Sequence, residues 1–306
     1  MTISAKIIAD SVSPDGVRIT TYELEYPRFI HSELMTHRAF SRNAASSRAI
    51  PIKRMIELIK EDTAMPIHWG KHQSGMQADE ECNAYMNIGT PQHASREEAW
   101  LSARDKAIEI AEAFAEAGYH KQIVNRILEP FSHIKVVITA TEFENWFYLR
   151  NHTDAQPEIK DLAGKMLVAK EASTPKELEL GEWHVPYYKD GYWIECQSDE
   201  TLYEAQMISV SCCAQVSYRR NDDSLEKAEK IYDRLVTSQP PHLSPTEHQG
   251  TPIDIDWVDN PPEGVTHLAH DKNELLHSWS GNLRGWIQYR QTIDVIVCGE
   301  QLELDL

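Results

Sequence analysis

Apolar and polar residues alternate along residues 4–10 and again along 17–26, on either side of Ser13-Pro14-Asp15-Gly16. Two period-2 stretches around a Pro-Asp-Gly turn predict a β-hairpin. The spacing then turns helical. Pro27 opens the stretch RFIHSELMTHRAF, and residues 51–60 carry Met55, Ile56 and Ile59 at helical intervals. Residues 41–48 are small, polar and basic and read as a loop, and 62–90 read as irregular. The Ala- and Glu-rich stretch 95–117 is the strongest helix, with Gly118 at the position that ends one. Helices are also expected over 120–128, 141–150 and 157–170, the last opened by Pro157 with Glu158 in its first turn. Residues 172–200 read as a connector with a short hairpin, 202–218 and 224–236 as helices, and 238–262 as proline-rich loop. The β-branched run 291–298 reads as a strand.

The chain has 306 residues, 41% hydrophobic and 25% charged, enough for a sizeable core. A formal net charge of −18 repels nucleic acid and anionic membrane, so neither is an expected partner. An anionic ligand would need a local cluster of arginines. The cysteines, Cys82, Cys196, Cys212, Cys213 and Cys298, are odd in number and irregularly spaced. Free thiols in a cytoplasmic protein fit that pattern, and no nucleophilic role is expected for any of them. Adjacent Cys212 and Cys213 are expected to be half-buried. The N-terminus lacks a signal-peptide pattern and no window reaches the length of a membrane span.

Within this acidic chain, Thr36-His37-Arg38-Ala39-Phe40-Ser41-Arg42-Asn43-Ala44-Ala45-Ser46-Ser47-Arg48 concentrates three arginines and three serines. Forked guanidinium donors, hydroxyls and small residues suit a phosphate monoester. A solvated loop paired to the acidic surface fits the same composition. The pattern H-R-x-x-S-x-N-x-x-S-x-R resembles the signature of flavin-dependent thymidylate synthases, the ThyX family. That resemblance implies that Ser46, Ser47 and Arg48 hold a nucleotide phosphate. It implies that His37, Arg38, Ser41 and Asn43 lie on the flavin side.

Two further segments resemble the same family. NRILEPF and ENWFYLRNHTDAQPEI match it at Arg126, Asn145, Arg150, Ala155, Gln156, Glu158 and Ile159. The resemblance implies a flavin contact for Asn145, nucleotide contacts for Arg126 and Arg150, and a catalytic role for both arginines. A guanidinium beside the pyrimidine would stabilise negative charge developing as C5 becomes nucleophilic. Considered alone, Arg150 could instead pair with Glu142 or Asp154. The third segment runs from Cys213-Ala214-Gln215-Val216-Ser217-Tyr218 to Pro241-His242-Leu243-Ser244-Pro245-Thr246-Glu247-His248. By resemblance, His242 and Ser244 face cofactor, while a Glu247–His248 hydrogen bond fixes the loop. No metal site is expected, because His242 and His248 lack further ligands at suitable spacing.

In the family the histidine loop precedes the other motifs, and here it follows them. Circular permutation accounts for the order. One catalytic domain over 1–306 is expected: 1–171 with the nucleotide-binding loop, 172–207 as linker, 208–250 as the permuted histidine-loop segment and 251–306 as an addition. NLRGWIQYRQ within that addition either caps a site or packs through Trp286 and Tyr289. The resemblance implies an α/β (α+β) fold with a central mixed or antiparallel sheet flanked by helices. It also implies a homotetramer with shared active sites and conversion of dUMP to dTMP with FAD, NADPH and methylenetetrahydrofolate. The departures are Thr36 for Arg, Ala44 for Glu, Gln215 for Arg, Ala49 for Tyr, and Thr139 and Thr141 in a region that contacts flavin. Glu33 stands where Gln is common. An ionised Glu33 only accepts hydrogen bonds, so it would suit a cytosine amino group unless it pairs with Arg38. Methylation or hydroxymethylation of another nucleotide such as dCMP, or a non-catalytic nucleotide- or flavin-binding protein, are the alternatives.

Overall fold

The computed structural model describes residues 3–89, 92–217, 222–253, 268–269 and 278–293. Its central sheet is built from β1 (Ser4–Val12), β2 (Arg18–Pro27), β3 (Ser41–Ala44), β4 (His133–Ala140) and β5 (Lys176–Glu177). The order across the sheet is β3-β4-β2-β1-β5, antiparallel except where β5 runs parallel to β1. The mixed sheet and its flanking helices are the α/β class the sequence implies, and the predicted hairpin is β1–β2.

Two expectations for this region are corrected. The run HIKVVITA was given no element, yet it is the central strand β4, buried along most of its length. Its free edge recruits Ser41–Ala44, pairing Ser41 with Thr139 and Ala44 with Val136, so half of the expected loop is strand. The helix after Pro27 also stops early, at Leu34, where the Thr36 hydroxyl donates to the Glu33 carbonyl at 2.7 Å.

Side-chain alternation along β2 assigns its two faces. Tyr22, Leu24 and Tyr26 are fully buried in the main core with Phe143 and Trp146 of α5 (Glu144–Arg150) and Met166 of α6 (Pro157–Ala172). The Tyr22 hydroxyl donates to the Met166 carbonyl at 3.1 Å. The helices α2 (Ile52–Glu61), α3 (Arg96–Glu116) and α4 (Lys121–Leu128) form a separate core through Met55, Ile59, Ile108, Val124 and Leu128. A Ser95/Glu98 capping box starts α3, and Gly118, at φ +88°, follows its last turn as expected. A third cluster joins α7 (Leu202–Ala214) and α8 (Leu225–Leu235) to Tyr289. Residues 289–292 form one helical turn rather than the start of a strand, and 294–298 lie outside the described residues.

The other face of β2 carries Thr21 and Glu23, and it is covered by the segment expected to be a linker. There β6 (Trp183–His184) and β7 (Tyr192–Trp193) form a hairpin, extended by β8 (Gly250–Pro252) and the strand Trp286–Gln288. Beneath it runs a buried hydrogen-bonded chain. Ser11 Oγ meets His184 Nδ1 at 2.9 Å, His184 Nε2 meets Thr21 Oγ1 at 2.8 Å, and Thr21 meets Thr139 Oγ1 at 2.7 Å. Thr139 then meets His248 Nδ1 at 2.8 Å, and His248 Nε2 reaches the Asn43 amide at 3.4 Å. Both imidazoles are wholly buried, and burial pushes each down to about 3. Among the described residues, no helix is long and apolar enough to cross a membrane.

These rings are neutral when folded but titrate near 6.5 when unfolded, so their contribution is complete above pH 6.5 and is lost as pH falls toward 3. The expected slope is about 1.4 kcal/mol per pH unit for each ring. Urea midpoints should fall between pH 7 and pH 5, and less steeply in His184→Gln; equal slopes in the two proteins would contradict this.

Candidate active site

The basic segment is split between two places. Its first half follows the short helix His31–Leu34, where the turn to β3 brings His37 under Trp146, the two rings edge to face at 4.7 Å. Burial, then the charges of Arg150 and Arg42, hold the His37 imidazole below its usual range, so it is neutral. Its Nε2 accepts from Arg150 Nε at 3.0 Å, which leaves the ring proton on Nδ1. Arg150 Nη2 also donates to Thr36 Oγ1 at 3.4 Å. Thus Arg150, in the last turn of α5, is held by His37 and Thr36 and pairs with neither Glu142 nor Asp154. Glu142 is bound to Arg284, and Asp154 lies 3.7 Å from His152.

Arg150 and Glu33 line an open cavity of about 2050 Å3 between α5, the start of α6 and residues 66–79. The Glu33 carboxylate makes no ion pair among the described residues, with Arg38 or otherwise, and is half-buried. Gln156 caps α6 by accepting from Ile159 N at 2.9 Å, while Glu158 accepts from Ile67 N at 2.7 Å and anchors the cavity's far wall.

The second half gathers elsewhere, around Glu129. Ser47 Oγ donates to Glu129 Oε1 at 2.6 Å, and Arg126 Nη1 pairs with the same oxygen at 3.2 Å. Ser46 is tied by its N–H to Ser217 Oγ at 2.9 Å, and Arg48 is exposed. Arg28 joins this group, 3.8 Å from Glu129, with Nη2 donating to the Ala45 carbonyl at 3.1 Å and Nε buried without a hydrogen-bond partner among the described residues. Burial lowers its guanidinium below the usual range. Sequence reasoning missed Arg28, because an arginine after a strand-ending proline carries no distinctive spacing. Neither Arg48 nor Arg126 lines the cavity at Arg150, so one protomer does not bring the three arginines together.

The cofactor-side residues also divide. Arg38, Asn145, His242 and Ser244 are exposed. Ser41 is fully buried, donating to Asn282 Oδ1 at 2.9 Å and accepting from Gln288 Nε2 at 3.1 Å. The Asn43 amide, oriented with its NH2 toward the carbonyls of Arg42 and Ser244 (2.9 and 3.1 Å), pins the histidine loop to β3. That loop is fixed without the expected Glu247–His248 bond: Glu247 binds Arg290, and His248 binds Thr139 and Asn43. Gln215 is buried and spans to Asp222, while Thr141 Oγ1 accepts from Arg284 N at 2.8 Å. Residues 278–293 pack as well as line: Trp286 Nε1 donates to the Val17 carbonyl at 3.0 Å, and the Tyr289 and Tyr232 hydroxyls meet at 2.7 Å.

A mixed sheet with two arginine groups on an acidic chain defines a candidate binder of small anionic ligands. A protein-family model described as thymidylate synthase complementing protein matches residues 17–176, just over half of the chain. The chain belongs to this family. No curated protein matches it. Similar solved structures include a UMP/dUMP methylase PolB from Streptomyces cacaoi bound with 5-Br UMP. It is 18% identical, with a TM-score of 0.39, over 55% of this chain and 88% of that one. The same protein bound with 5-Br dUMP gives 14% identity and a TM-score of 0.37, over 55% and 90%. Similarity of this extent supports no assignment by itself.

Cys212 and Cys213 are fully buried rather than half-buried, and burial pushes the Cys212 thiol up to about 12. In the folded protein at pH 8, peptide mapping after iodoacetamide treatment should find exposed Cys196 modified and Cys212 and Cys213 unmodified. Labelling of either buried thiol at the rate of Cys196 would contradict the packing of α7.

Proposed function

We propose that this protein transfers a one-carbon unit to C5 of a pyrimidine deoxynucleotide monophosphate, with dUMP as substrate and dTMP as product. The observation that carries the reading is Arg150, held by a neutral imidazole at the wall of a roomy cavity, within the residues that match the family. His37 accepts from Arg150 Nε and so aims the guanidinium while adding no opposing charge. Arg150 stabilises negative charge on the pyrimidine as C5 attacks the incoming carbon. Ser46, Ser47, Arg48 and Arg126 bind the phosphate, with Arg28 beneath them. A phosphate there takes over the donors now given to Glu129. The two halves form one site when a neighbouring subunit supplies the second, in a homotetramer with shared active sites.

Reduced FAD, with NADPH as its reductant, would supply the hydride, and methylenetetrahydrofolate the carbon. Arg38, Asn145, His242 and Ser244 are exposed and would contact the flavin, although none of them lines the cavity at Arg150; Ser41 and Asn43 are already committed and serve as supports. The permuted order has support at Gly250, where an added Cβ would lie 3.6 Å from Ile19 Cδ1. Permutation requires the end of the histidine loop to lie near the start of β2, and this contact is in keeping with that requirement.

The protein incubated with dUMP tritiated at C5, methylenetetrahydrofolate, FAD and NADPH should release tritium. Arg150→Lys keeps the charge but not the fork, and should slow release by about 100-fold or more. No release from dUMP or from dCMP would end the reading and leave a non-catalytic binding protein. Release from dCMP alone would move the substrate to cytosine, with Glu33 as the acceptor for its amino group.

A further inference from the structure

Arg38, Arg42 and Arg290 line a pocket of about 270 Å3 where the basic segment, the histidine loop and residues 278–293 meet. One carboxylate, Glu247, faces these three guanidinium groups. In a chain of net charge −18 this is a local reversal of sign. Arg42 spends Nη1 on the carbonyls of Met35 and His37, at 2.9 and 3.1 Å, which fixes its direction. Arg38 makes no ion pair among the described residues and is exposed at the rim. Arg290 is bound to Glu247 through Nη1.

The floor is built of satisfied polar groups. Gln288 Nε2 shares its two hydrogens among Asn282 Oδ1 at 2.6 Å, the Glu247 carbonyl at 2.9 Å and Ser41 Oγ at 3.1 Å. Asn282 Nδ2 donates to the Ala39 carbonyl at 3.3 Å. Gly281, at φ +60°, lets the chain close over this floor, because a Cβ there would lie 2.1 Å from Gln288 Oε1. The segment 278–293 therefore completes the pocket.

We propose that this pocket binds a phosphoryl group, with Arg38 and Arg42 as fixed donors and Arg290 as a third that turns from Glu247 to the ligand. The volume lies just below the range that encloses a drug-sized molecule, and it suits a phosphate or a diphosphate rather than a fused ring system. Glu247 holds Arg290 and competes with the ligand for it. The site is separate from the Ser47–Arg126–Glu129 group, and it stands whether or not the protein methylates dUMP.

Calorimetric titration of the full chain with inorganic diphosphate tests this, in an Arg126→Gln background that weakens the other basic group. Saturable binding is expected, weakened about tenfold or more by R38Q. In contrast, E247Q frees Arg290 and should tighten binding severalfold. The proposal fails if diphosphate does not bind, if R38Q binds as tightly as its parent, or if E247Q binds more weakly. Circular dichroism of each variant checks the fold, and R38Q alters an exposed side chain outside any ion pair. Comparison with inorganic phosphate and NADPH identifies the source: equal affinity for phosphate and diphosphate marks a single phosphoryl subsite. Tighter NADPH binding that R38Q abolishes marks a dinucleotide linkage. Either outcome supports the pocket.

Discussion

Two neutral imidazoles buried beneath the sheet determine where the other parts of this protein lie. His184 and His248 each offer one donor and one acceptor, and each is wholly enclosed. An enclosed ring without partners would cost on the order of 1–3 kcal/mol per unmade bond. The partners come from four separate strands: Ser11 of β1, Thr21 of β2, Thr139 of β4 and Asn43 of β3. Satisfying both rings therefore fixes the β6–β7 hairpin and the histidine loop against β1, β2, β4 and β3 together. Asn43 is the last link, and it is also the residue that holds Ser244 beside the basic segment. The core below the ligand residues is thus specified by polar complementarity as well as by apolar packing.

The same economy governs the arginines. A chain this acidic gives a positive group many places to go, and eight of the described arginines pair with a carboxylate. Arg150 differs because its partner is an uncharged ring, so its full charge remains available to a ligand. The Ser47–Arg126 group is held in the opposite way, by a carboxylate that a phosphate would replace. The first arrangement aims a charge and the second reserves one. Ligand exchange at the two loci would therefore differ: a ligand at Arg150 displaces no protein anion, and one at Arg126 trades places with a carboxylate.

Local patterns were legible in the sequence and long-range ones were not. The β1–β2 hairpin, α3 with its Ser95 cap and Gly118 stop, and the Pro157 start of α6 follow from rules that act within a few residues. The strand β4 went unread because a buried central strand shows a continuous apolar run, without the alternation that marks a half-exposed one. Without β4 there was no partner to make a strand of Ser41–Ala44. For the candidate site, motif spacing located Arg150, Arg126, the serines and His37, which orients Arg150, but not the groups brought in from other segments. Arg28, Asn282, Gln288 and Arg290 reach their places through tertiary contacts, and Glu129 adds a tertiary bond from Ser47 to its local i,i+3 contact with Arg126. His184 was invisible for the same reason: a histidine in a stretch of mixed composition gives no sign that it will be enclosed.

The distance along the chain between Ser41 and Asn282 has a temporal meaning. Their hydrogen bond joins residues 241 positions apart. At ribosomal speeds of roughly 5–20 residues per second, Ser41 emerges on the order of tens of seconds before Asn282 is made. During that interval β1 through β4 can already pair, while the polar floor beside Arg38 does not yet exist. The pocket lined by Arg38, Arg42 and Arg290 is thus completed only after residues 278–293 are made, and a nascent polypeptide carries its basic segment long before it has the enclosure around it.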